Sequence, residues 1–298
     1  MSRFNEVHTG SRAPFNILLF GNMSLCSYVL LTFSRYAHSI NYTYDKKEFI
    51  VSIISVCNMK GGVGKTMLSL ILTTYFASKG RTLAIDLDPQ GNMSSFFTKL
   101  VPEEHKTMRI FDAKEADPDP QPLEITKNLF LFGADLKLSA IEPHATFNDY
   151  LVVQEWVRKH GKEYDSLIID SPPNLGLFSS STLLATEYVI VPVDVGESAI
   201  EGLRSLLASM RTTAKRGNSE IKVLGIVMTR RRQTSYAEEF ERELRAEFKA
   251  NVFQTVIPET AAYKEYMFRH RQIPTDSRTY KSVQAFTQEV SARIKENS

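Results

Sequence analysis

The chain has 298 residues, 43% of them hydrophobic and 23% charged, so it carries enough apolar mass to bury a full core as one α/β domain or two small ones. Its net charge is only +2 and its pI about 8.4, which excludes a whole-molecule field as the source of any polyanion affinity; local clusters of Lys and Arg would have to supply it. The two cysteines, Cys26 and Cys57, have no metal-ligand spacing, and Cys57 ends an apolar run where a buried thiol in a reducing cytoplasm is the ordinary outcome.

Residues 13–34 contain no charge and include NILLF and SYVLLTF, a length able to cross a bilayer. Asn16, Gly21, Asn22, Ser24, Ser27 and Thr32 dilute the segment, and no small-residue cleavage pattern follows it. Residues 1–49 are therefore expected to be an N-terminal extension, attached loosely or lying upstream of the true start, with membrane contact as the alternative. From Phe49 the pattern changes. The β-branched run IVSIISV predicts a strand, a Gly-rich turn follows, and an apolar period from Thr66 to Ser78, closed by Lys79 and Gly80, predicts a helix. TLAID, NLFLF, SLIID, YVIVPV, KVLGIVMT and VFQTVI predict further strands between helical stretches. Such alternation implies right-handed crossovers and a three-layer α/β fold over residues 50–298, a mostly parallel twisted sheet with helices on both faces. The patch DPDPQP, residues 117–122, reads as a surface loop within that domain.

The strongest chemical signal is Lys60-Gly61-Gly62-Val63-Gly64-Lys65-Thr66, set between the first strand and the first helix. A nucleoside triphosphate needs converging backbone N–H groups, which a glycine turn and a helix N-terminus provide. The run from Lys60 to Met67 is the expected cradle, with Lys65 reaching the β- and γ-phosphates and the Thr66 hydroxyl on Mg²⁺. The ordinary pattern G-x-x-x-x-G-K-[ST] fails at one place, because Met59 stands where the first glycine belongs and Lys60 follows it.

Three carboxylates follow strand-like runs. Asp86 and Asp88, in AIDLDPQGN, share one face at the carboxyl end of a predicted strand, where open α/β sheets bind ligands. Asp88 is the candidate for orienting an attacking water, and both acids are candidates for the Mg²⁺ shell. Asp170 closes SLIID before SPPNLG; an apolar run, Leu167 to Ile169, ending in an acid reads as a Walker B run, whose carboxylate serves Mg²⁺ through water.

The two lysines bracketing the glycine turn resemble the deviant Walker A pattern K-G-G-x-G-K-[ST] of the ParA/MinD family of P-loop ATPases. D-x-D-P-Q-G-N resembles the ParA branch, and the resemblance continues through SPPNLG, VPVDVGESAIEGL and FQTVIPETAAYKEYMFRHRQIP, covering residues 50–298. It implies Mg²⁺-dependent hydrolysis of ATP to ADP and phosphate. It also implies an ATP-dependent homodimer in which Lys60 reaches the partner's phosphates in trans. The prolyl-prolyl turn would respond to the γ-phosphate, while Thr229 and Pro258 would flank the adenine. Further implied partners are non-specific DNA and a small ParB-like activator, with a plasmid, a chromosome or a protein assembly as cargo, in a cytoplasmic, nucleoid-associated setting.

Three basic clusters are candidates for DNA phosphates. Arg204, Arg211, Lys215 and Arg216 lie on one helix, where Glu197 and Glu201 at its start make dipole complementarity a sufficient explanation. Arg230, Arg231 and Arg232 would repel one another without a nearby anion, which favours DNA contact through Arg231 and Arg232. The third cluster is Lys264, Arg269, Arg271, Arg278 and Lys281. A MinD-like membrane ATPase is the alternative, yet Val283, Phe286, Val290 and Ile294 near the C-terminus read as the stripe of a docking helix. Iron-sulfur chemistry of the nitrogenase-reductase kind would require paired cysteines that this sequence lacks. Residues 1–49 also offer no recognition-helix pattern for autorepression.

Overall fold

A computed structural model describes residues 52–113, 118–196, 198–269 and 273–297. The extension 1–49 and Arg271 lie outside the described residues, as do Glu197 and the side chain of Arg216. The strands are β1 (Ser52–Val56), β2 (Thr82–Asp86), β3 (Leu123–Thr126), β4 (Leu129–Phe132), β5 (Ser166–Asp170), β6 (Tyr188–Asp194) and β7 (Lys222–Thr229). They form one sheet in the order β3-β4-β2-β5-β1-β6-β7, parallel throughout except for the edge strand β3. The helices are α1 (Lys65–Ala77), α2 (Asn92–Phe97), α3 (Met108–Asp112), α4 (Val152–His160), α5 (Leu177–Ala185), α6 (Ala199–Arg216), α7 (Ser235–Phe248), α8 (Ala261–Arg269) and α9 (Arg278–Asn297). Among the described residues no helix is long and apolar enough to cross a membrane.

Burial on both faces of the sheet explains the layers. Both faces of the central strands are covered, so TLAID and SLIID are buried at every position, which is why they read as continuous apolar runs. One face packs on α1 and α9 through Leu68, Leu72, Phe286 and Val290; the other packs on α4 through α7 in two further clusters. The register matters for function. Val56 and Asp86 both pair with Asp170, so β1, β2 and β5 end at one level and deliver the glycine loop and two carboxylates to the same edge.

Two elements differ from expectation. The sequence pattern does not predict β3, because the short half-exposed LEIT carries almost no period. VFQTVI forms no strand. Val252 makes an isolated bridge to Ile226, and the segment adds two separate backbone contacts, Phe253 N donating to Ile226 O (2.8 Å) and Ile257 N to Met228 O (2.9 Å). Between them, the amides of Gln254 and Thr255 donate to the two carboxylate oxygens of Glu289 on α9, at 2.8 and 2.9 Å. Amides bound to a side chain cannot join a ladder, and Pro258 has none to give.

α9 is fastened by the same region. Arg293 lies over the Phe253 ring, 4.2 Å from its centroid, and donates to Leu224 O, Ala250 O and Val252 O. The predicted apolar stripe Val283, Phe286, Val290 and Ile294 is buried, which makes α9 part of the core. Phe286→Ala should therefore cost about 3–5 kcal/mol in urea denaturation. Phe147→Ala, at a side chain that is 77% exposed, should stay within about 0.5 kcal/mol of the parent.

Candidate nucleotide-binding site

The glycine loop leaves β1 and runs into α1 without a side-chain cap, its last residue Gly64 serving as N-cap in the left-handed region (φ 91°); Gly62 has φ 74°. Side chains rarely adopt these angles, so glycine is required at both positions. Asn58 holds the start of the loop, donating to Pro192 O (2.6 Å) while its Oδ1 accepts from Lys60 N (2.9 Å). Val63 is buried, and its carbonyl accepts from Thr229 Oγ1 (2.8 Å). Met67 packs inward on the first turn of α1, whereas Thr66 is half-buried.

The two lysines differ in environment. Lys65 is buried, and its Nζ donates to Lys60 O (3.1 Å) across the loop. Burial lowers its pKa, while the charges of Asp170 and Asp88 act in the opposite direction. Lys60 is exposed, with Nζ 3.2 Å from where a Cβ on Gly196 would lie.

Asp170 and Asp86 are fully buried neighbours at the ends of β5 and β2. Asp170 Oδ1 accepts from Ser69 Oγ (2.8 Å), and Oδ2 is buried without a hydrogen-bond partner among the described residues. Burial pushes the pKa of both acids up; for Asp86 the adjacent Asp170 adds to the rise. Sequence reasoning gave Asp86 a share of a Mg²⁺ shell, but both its oxygens are engaged within the fold. Oδ2 accepts from Ser94 N (2.9 Å) and Ser94 Oγ (2.6 Å), and Oδ1 from Asp88 N (3.1 Å), so Asp86 braces the turn that carries Asp88. Asp88 is itself buried, with Oδ1 accepting from Gln90 N (3.0 Å). The prolyl turn closes the site: Ser171 Oγ donates to Val56 O (2.9 Å), and Pro173 Cβ stands 3.9 Å from the Cβ position of Gly61.

The expected adenine neighbours are placed differently from each other. Thr229 is fully buried, its hydroxyl committed to Val63 O and Val193 O, so it ties the loop to β6 and presents nothing to a base. Pro258 bridges to Arg231 and lines a cavity of about 450 Å³ with Arg232, Glu259 and Arg278.

The triple arginine departs furthest from expectation, since its anions are internal. Arg231 pairs with Glu241 (3.1 Å), Arg232 with Glu259, and Arg230 with Asp194 (3.4 Å) and Glu259 (3.3 Å). Arg230 also donates to Gly62 O (3.2 Å) from a left-handed backbone, φ 51°, which makes it a loop support that the sequence pattern missed. On α6, Arg204 pairs with Glu247 (2.8 Å), whereas Arg211 and Lys215 are exposed and form no ion pair among the described residues. Arg269 is exposed on α8, 3.8 Å from Glu265. Ser69 is legible in principle, three positions after Thr66 on the same helical face; Ser94 reaches Asp86 from eight residues on, beyond any one period, and Arg230 acts across a long sequence separation with no local signal.

A family model described as an AAA domain matches residues 51–223. The chain is 32% identical over 255 residues to the chromosome-partitioning ATPase Soj of Thermus thermophilus, covering 82% of this chain and 96% of that protein. It is also 32% identical over 222 residues to the sporulation initiation inhibitor protein Soj of Bacillus subtilis, covering 72% and 86% respectively. Among solved structures, the ATP complex of a Cyanothece McdA variant superposes with a TM-score of 0.73 at 19% identity, over 82% of this chain and 96% of that one. A Borrelia burgdorferi putative plasmid partition protein bound to AMPPNP gives 0.68 at 20% identity, over 83% and 99%. With the glycine loop, its two lysines and the strand-end acids assembled at one sheet edge, and with relatives of this identity spanning most of the sequence, the chain belongs to the ParA/MinD family of P-loop ATPases.

Proposed function

We propose that this chain is a partition or positioning ATPase that binds ATP with Mg²⁺ in the glycine loop, pairs with a second copy around the nucleotide, and binds DNA non-specifically in that state. A small ParB-like activator would stimulate hydrolysis, and a plasmid, a chromosome or a protein assembly would be the cargo. The observation that carries the reading is the buried Lys65 ammonium held by a loop carbonyl, beside an Asp170 oxygen that lacks a partner among the described residues.

That donor set fits Mg²⁺, a hard cation that keeps most of its waters and needs few protein oxygens: the half-buried Thr66 hydroxyl and Asp170 would hold it. When bound, Mg²⁺ neutralises charge on the β- and γ-phosphate oxygens. Lys65 exchanges the Lys60 carbonyl for phosphate oxygens, while the loop N–H groups and the start of α1 supply fixed dipoles that need no reorganisation. Asp88, held in its turn by Asp86 and Gln90, orients the attacking water. The exposed Lys60 is free to reach the partner's nucleotide. Pro258 and its cavity remain the candidate for the adenine edge. For DNA, Arg211 and Lys215, exposed and without an ion pair among the described residues, are better supported than Arg231 and Arg232, whose charges are answered inside the chain. Arg216, Arg269 and Arg271 are secondary candidates. The burial of α9 in the core weighs against a C-terminal membrane anchor.

Calorimetry should show ATP binding in the presence of Mg²⁺, lost on chelation with EDTA; purified protein that ignores ATP would remove the reading. Lys60→Gln should keep nucleotide binding while partner-dependent turnover falls by about a thousandfold, the scale of a charge supplied in trans. Asp88→Ala should bind ATP, accumulate as a dimer in light scattering, and hydrolyse it at least about a hundredfold more slowly. Arg211→Glu combined with Lys215→Glu should weaken DNA retention at low salt and flatten its dependence on log salt by about two. Unchanged retention would move the DNA face elsewhere.

A further inference from the structure

Glu142 belongs to none of the motifs, yet it holds one end of the loop that closes the nucleotide site. It sits half-buried on a single helical turn, Glu142–His144, between β4 and α4. Its Oε1 accepts from the N–H of Leu177 (2.9 Å), the first residue of α5, across a sequence separation of 35. Gly176 makes this approach possible. Its backbone is extended (φ −162°, ψ −160°) and would admit any side chain, but a Cβ there would lie 1.8 Å from that same Oε1. The glycine is thus explained by the carboxylate and by nothing in its own conformation.

The loop so held runs from Asp170 to Gly176. Its near end is fixed by Ser171 on Val56 O and by the approach of Pro173 to Gly61; its far end is fixed by Glu142. The segment bearing Glu142 is anchored in turn to the Asp88 turn. Ala134 N donates to Ser94 Oγ (2.8 Å), the hydroxyl that donates to Asp86 Oδ2, and a Cβ on Gly91 would lie 2.6 Å from Ala134 O. Leu138, fully within the core, fixes the chain between Ala134 and Glu142.

We propose that Glu142 is a positioning residue for ATP hydrolysis, setting the prolyl loop against the glycine loop and linking its place to the turn that carries Asp88. The inference rests on the ATPase reading above. Glu142 lies outside the glycine loop and the strand-end acids and acts through the Leu177 amide, so its loss changes the chemical step more than the affinity for ATP.

Glu142→Ala should lower kcat about fivefold, the weight of one positioning hydrogen bond, with KM for ATP within about twofold. Glu142→Gln keeps an acceptor oxygen and should restore kcat. Gly176→Ala should reproduce the Glu142→Ala defect by displacing the carboxylate, and the double variant should be no worse than Glu142→Ala, because the three atoms nearest the added methyl group all belong to the Glu142 carboxylate. Hydrogen exchange at the Leu177 amide, followed without nucleotide, should quicken at least about fivefold in Glu142→Ala and Gly176→Ala but not in Glu142→Gln. Unchanged exchange overturns the clamp. Faster exchange with wild-type kcat, or additive losses in the double variant, overturns the positioning role. A wild-type protein without turnover overturns the ATPase reading and the role with it, while the exchange measurement still decides the clamp.

Discussion

A cation taken out of water governs this structure. The Lys65 ammonium is buried against the carbonyl of Lys60, in reach of the fields of Asp170 and Asp88. Desolvation alone would favour its neutral form, and the Lys60 carbonyl it donates to and the charges of Asp170 and Asp88 act against that. The glycine angles, the brace from Thr229 and the common ending level of β1, β2 and β5 all serve that placement. An anionic triphosphate entering the loop would meet a cation already stripped of water, where the attraction is stronger than at a surface.

The support around the site is built mostly from pairs that are distant in sequence; Ser94, eight residues from Asp86, is the near one. Ser69 and Ser94 answer the two buried acids, Arg230 bridges the loop to Asp194 and Glu259, and Glu142 reaches α5. These contacts explain why the acids can be adjacent. Each keeps at least one hydroxyl donor, which opposes in part the rise in pKa that burial imposes on both.

Much of this is legible in the sequence, and for identifiable reasons. The strand-loop-helix setting of Lys60 to Thr66 and the strand-end positions of Asp86 and Asp170 are local patterns, and β1, β2, β5, β6 and β7 are buried apolar runs. What escapes depends on distant partners. VFQTVI has the composition of a strand, but Glu289 takes two of its amides from the far end of the chain. Arg230 to Arg232 read as unanswered charge because Asp194, Glu241 and Glu259 lie on other elements. Thr229 stands at the right strand end for a base, but its hydroxyl points into the backbone of the loop.

The way α9 is fastened also restricts how copies can associate. Arg293 occupies the carbonyls of Leu224, Ala250 and Val252, and Glu289 the amides of residues 254 and 255, so the β7 side of the sheet offers few unsatisfied groups to a foreign strand. At the opposite border β3 is only four residues long and its pairing slips register. With both borders poor templates for continuation, self-assembly by strand addition is disfavoured.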